Sequence, residues 1–99
     1  MENNQETADQ PKIDFLAYIT SLGFQAMIFL GEIESPATKK KETNLLQAKF
    51  IIETLVMLRD KTKGNLEAQE DNMINTSIYE LQMKYVDKIT PKKESEIGD

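Results

Sequence analysis

The sequence predicts a small all-α domain of three helices, and three observations lead there. Phe15–Leu30 is an uncharged, mostly apolar run of helical length. Two later windows, about 44–63 and about 66–90, repeat apolar residues at spacings of three and four, the signature of amphipathic helices. Helix-breaking residues separate the pieces: Gly31 and Ser35-Pro36, then Gly64-Asn65, and finally Pro91. Residues 1–12, rich in Glu, Asn and Gln, read as a disordered acidic tail, 13–90 as one helical domain, and 91–99 as a second disordered tail.

Helix one is expected at about 13–31, with Asp14 at its positive end and Gly31 as its stop. On a helical wheel Asp14, Ser21 and Gln25 fall together, flanked by Ala17 and Tyr18, and every other direction is apolar. Such a helix needs cover on nearly every side. It is the central helix of an oligomer, a membrane-inserted segment, or a helix reserved for another protein, and the oligomer is the leading reading. Gly23 is a weak point inside it, suited to close backbone approach or to relief of crowding.

The loop 32–43 carries Lys39, Lys40 and Lys41, which read as a solvated run more readily than as an anion site. Helix two is expected at about 44–63, capped by Asn44 and stopped by Gly64. Its principal face is Leu45, Ala48, Ile51, Ile52, Leu55, Val56 and Leu58. A second stripe, Leu46, Phe50 and Met57, lies on another side, between Lys49, Glu53 and Asp60 on one edge and Gln47, Thr54 and Lys61 on the other.

Helix three is expected at about 66–90, with Asn65 as cap and Glu67, Glu70 and Asp71 favoured by the helix dipole. Ile74, Ile78, Leu81 and Tyr85 form its core face, and Tyr79, Met83 and Val86 a second stripe. The short Gly64-Asn65 link implies that helices two and three form an antiparallel hairpin. Every helix therefore carries more apolar surface than a three-helix domain can bury. A homodimeric helical bundle is the simplest cover, with Phe15, Tyr18, Leu22, Phe24, Met27, Phe29, Leu46, Phe50, Met57, Tyr79, Met83 and Val86 as the expected interface.

Composition narrows the chemistry. A net charge of −5 disfavours nucleic acid as a partner. With neither His nor Cys, the chain lacks Ser/His and Cys/His nucleophile pairs and the usual zinc and haem ligands. Lys61-Thr62-Lys63-Gly64 lacks the glycine frame of a phosphate loop, and DNMINTSIYE (71–80) lacks the ligand alternation and central glycine of a calcium loop. Asn75-Thr76-Ser77 matches a glycosylation acceptor but falls mid-helix. No catalytic residue, metal or cofactor is expected, and the reading is non-enzymatic. Residues 1–12 lack the basic and apolar regions of a secretory signal, so a cytoplasmic location is expected.

The segments DFLAYITSLGFQAMIFLGEI (14–33), KKETNL (40–45), LRDKTKGNL (58–66) and YELQMKYV (79–86) resemble a small bacterial family, domain of unknown function 1844. The resemblance implies a compact helical domain and transfers no catalytic, cofactor or metal residue. It also implies a glycine after the Pro-x-Thr of the loop, where this chain has Lys39. The functional expectation is thus a self-associating protein-interaction module. Two alternatives stand beside it. One is an adaptor whose apolar groove, including Met27, Met57 and Met83, receives a partner's helix. The other is a membrane-peripheral protein anchored by Phe15, Phe24 and Phe29; spanning is not expected, because the uncharged run is shorter than the about 20 residues a spanning helix needs.

Overall fold

In a computed structural model, which describes residues 13–90, the first helix, α1, spans Phe15–Phe29 and starts where Asp14 caps it. The Asp14 carboxylate accepts a hydrogen bond from the Ala17 amide at 2.8 Å, satisfying one of the donors that a helix start leaves free. At the other end the Gly31 amide donates to the carbonyl of Ile28 and the Glu32 amide to that of Met27. This paired closure needs a left-handed residue, and Gly31 supplies it at φ +80°. Ile13 and Gly31, expected inside the helix, lie outside it because the caps themselves occupy Asp14 and Leu30. The expected tails, with Pro11 and Pro91, fall outside the described residues.

Helix α2 spans Leu45–Lys61, capped by Asn44, whose side chain accepts from the Gln47 amide at 3.1 Å. It ends two residues before the expected Lys63. There the Thr62 hydroxyl donates to the Leu58 carbonyl at 2.6 Å, and Gly64 turns the chain at φ +85°. Helix α3 spans Ala68–Ile89, and its cap is Glu67 rather than the expected Asn65. The Glu67 side chain accepts an amide of the first turn while the Glu70 carboxylate accepts the Glu67 amide at 2.9 Å, a reciprocal pair that satisfies two donors at once. The α2–α3 connection is therefore Thr62–Glu67, longer than Gly64-Asn65. Thr90, which precedes a proline in the sequence, is extended at ψ 132° and ends α3.

Among the described residues there are three helices and no strand, and each helix contacts the other two. Their shared core is Ile19, Leu22, Ala26 and Leu30 from the first helix and its cap, Ala48, Ile51, Ile52 and Leu55 from α2, and Ile74, Ile78 and Leu81 from α3. Leu45, Val56, Leu58 and Tyr85 pack around it, so the core faces read from the periodicity of α2 and α3 are the ones that meet. Lys88 and Glu32, 3.6 Å apart, tie the end of α3 to the turn after α1. Gly23 has open space where a side chain would stand, and neither close approach nor crowding accounts for it.

Candidate interaction surface

The expected interface residues divide into three groups once the helices are packed. Leu22 belongs to the core, since it shares the face of Ile19 and Ala26 that meets the other helices. Phe15, Met27 and Phe29 are half-buried against that core. Tyr18, Phe24, Leu46, Phe50, Met57, Tyr79, Met83 and Val86 stand exposed, as do Met73 and Ile89, which periodicity alone did not assign to the interface. That pair lies at the margins of the α3 core face, where periodicity does not say how far a neighbouring helix extends its cover.

On α1 the polar seam of Asp14, Ser21 and Gln25 is exposed together with Ala17 and Tyr18. Tyr18 and Phe24 lie on opposite flanks of that seam, about 120° apart around the helix. The first helix is thus mainly a core helix, and its two exposed aromatics do not form one face. The same packing separates the three phenylalanines considered as membrane anchors, because only Phe24 is exposed. Among the described residues no helix is long and apolar enough to cross a membrane.

The second stripe of α2 is the most exposed apolar feature of the helices. Leu46 is 78% and Phe50 65% exposed, with Met57 two turns further along. Leu46 and Phe50 border a shallow depression with Gln47, Lys49 and Glu53. Lys49 and Glu53 also line the cleft that α2 makes with α3, opposite Gln82 and Tyr85. On α3, Tyr79 and Val86 lie just beyond Gln82 on the wheel, so the stripes of α2 and α3 flank one cleft.

A separate groove of about 240 Å³ runs between α1 and α3, lined by Gly23, Met27, Met73 and Leu81 with Thr20, Ser77, Glu80 and Lys84. Of the three methionines assigned to an apolar groove, only Met27 lines it. Met57 is on α2, and Met83 borders the adjoining surface through the shared neighbours Glu80 and Lys84.

The acidic groups at the start of α3 serve structure. Glu67 and Glu70 cap α3, and Asp71 receives the side-chain amide of Asn75 through both its carbonyl, at 2.8 Å, and its carboxylate. Among the described residues no three acidic side chains gather where they would hold a metal ion. In the loop, Lys39 adopts φ +62°, a conformation that favours glycine, and its amide donates to the Ser35 carbonyl at 2.7 Å. The Ser35 amide in turn donates to the Lys40 carbonyl, closing the turn.

Neither a curated protein nor a solved structure matches the chain. A match to the family described as Domain of unknown function (DUF1844) covers residues 12–87, which contain α1, α2 and nearly all of α3. With α1, α2, nearly all of α3 and their shared core inside that span, the chain belongs to the domain of unknown function 1844 family.

Proposed function

We propose that this chain is a cytoplasmic, non-enzymatic bacterial interaction module that associates with a second copy of itself through the exposed stripes of α2 and α3. The observation that carries the reading is the exposure of Leu46, Phe50 and Met57 on α2 and of Tyr79 and Val86 on α3, helices that share the cleft lined by Lys49, Glu53, Gln82 and Tyr85. Fully covering a side chain of this size contributes roughly 1.5–3 kcal/mol. A symmetric contact buries each residue twice. Even at half that value, these side chains outweigh an association cost of about 4–15 kcal/mol at its lower and middle range.

The antiparallel hairpin belongs to the same reading. Lys49 and Glu53, early in α2, share a cleft with Gln82 and Tyr85, late in α3, whereas Arg59 and Asp60 share one with Asp71 and Asn75. Phe50→Glu tests the interface. The variant is expected to remain helical by circular dichroism and to sediment as a monomer where the wild-type chain sediments as a dimer. An unchanged dimer would remove α2 from the interface.

A second reading, an adaptor for an apolar helix of another protein, is favoured by the α1–α3 groove. Its methionines Met27 and Met73 suit an adaptable apolar contact, and Gly23 leaves room for one.

A further inference from the structure

Resting on the self-association reading, we infer that two copies meet through α2 packed antiparallel on α2 about a two-fold axis, with Lys49 of each subunit paired to Glu53 of the other. The stripe Leu46, Phe50, Met57 is nearly continuous along the helix, with Glu53 beside its middle. An axis opposite the stripe's centre sets Leu46 against Met57 of the partner subunit and Lys49 beside Glu53 of the partner subunit.

The charges select this orientation. In an antiparallel pair each edge of a helix meets the same edge of its mate, whereas in a parallel pair it meets the opposite one. On the edge of Lys49, Glu53 and Asp60 the first two carry opposite signs one turn apart, so that pair complements itself when reversed. Facing the other edge, Gln47, Thr54 and Lys61, Lys49 and Glu53 meet no charge, and the one match there, Asp60 with Lys61, draws on a carboxylate that Arg59 already pairs with at 3.3 Å.

Within one chain Lys49 and Glu53 are only loosely engaged. Their nitrogen and oxygen stand 3.9 Å apart, with the side chains 56% and 66% exposed. A lysine one turn before a glutamate is also the weaker order for such a pair. Both groups are free to turn to a mate. Covering the far edge strands no hydroxyl, because Thr54 already donates to the Phe50 carbonyl at 2.8 Å.

Charge reversal on the full chain tests the pairing. Lys49→Glu sets a carboxylate against Glu53 of the partner subunit, and Glu53→Lys sets lysine against lysine. Each variant alone is expected to dimerise about tenfold or more weakly at low salt, as opposed like charges do at an interface. Mixing the two variants is expected to restore a dimer, because each now meets its complement, and no change confined to one chain can do this. Sedimentation of each variant and of the mixture reads the result. Single variants that dimerise like the wild type would overturn the pairing while leaving self-association standing. Weakened variants that fail to recover on mixing would also overturn it. A wild-type chain that stays monomeric would overturn the pairing and the self-association reading together.

Discussion

Lys39 illustrates how a single residue fixes a loop at a cost. Its φ of +62° is the geometry the turn demands, and the hydrogen bonds joining Ser35 with Lys39 and Lys40 hold it there. A side chain with a Cβ in this region is strained by roughly 1–2 kcal/mol relative to glycine. The glycine that the family resemblance places after Pro-x-Thr meets the same backbone demand. Lys39→Gly is therefore expected to raise stability by about 0.5–1 kcal/mol, after the larger unfolded-state freedom of glycine is subtracted, as measured by urea denaturation. A loss of stability would show that the lysine side chain itself holds the loop. Gly31 is the reverse case, since a Cβ there would stand 2.5 Å from the Thr43 hydroxyl in addition to its left-handed backbone.

At the scale of the helices, what was legible in the sequence was whatever local chemistry decides. Asp14 and Asn44 cap because a short acceptor side chain reaches an amide three residues on, and the sequence contains both partners of that bond. The core faces of α2 and α3 were legible because their apolar residues recur on one side against a polar background. The first helix gave no such contrast, and so its face could not be chosen: Leu22 went to the core, and Phe15, Met27 and Phe29 packed against it. The start of α3 was misplaced because Asn65 is the better single cap, whereas Glu67 wins by acting with Glu70. Of the α1–α3 groove only Met27 was legible, since Met27 and Met73 become neighbours only after the helices pack. Gly23 sits in that groove with open space around its Cα. Gly23→Ala should stabilise α1 by about 0.5–1 kcal/mol in thermal or urea unfolding, and leave the dimer intact if association runs through α2 and α3. Loss of the dimer on adding one methyl group would place the interface at the groove instead.

At the scale of the molecule, the three helices among the described residues close one core and leave large apolar side chains on the outside of α2 and α3. A domain this small buries a limited fraction of its surface, so an added interface is a substantial share of its stability. Under the proposed self-association a second copy supplies that cover, and Phe50→Glu and the charge-reversal pair locate it on α2. The most direct measurement is the absolute molar mass of the wild-type chain in solution, by light scattering after gel filtration without detergent over a range of concentrations. Self-association predicts twice the mass of one chain, falling toward the single-chain value only on dilution. The mass of one chain at every concentration would contradict it.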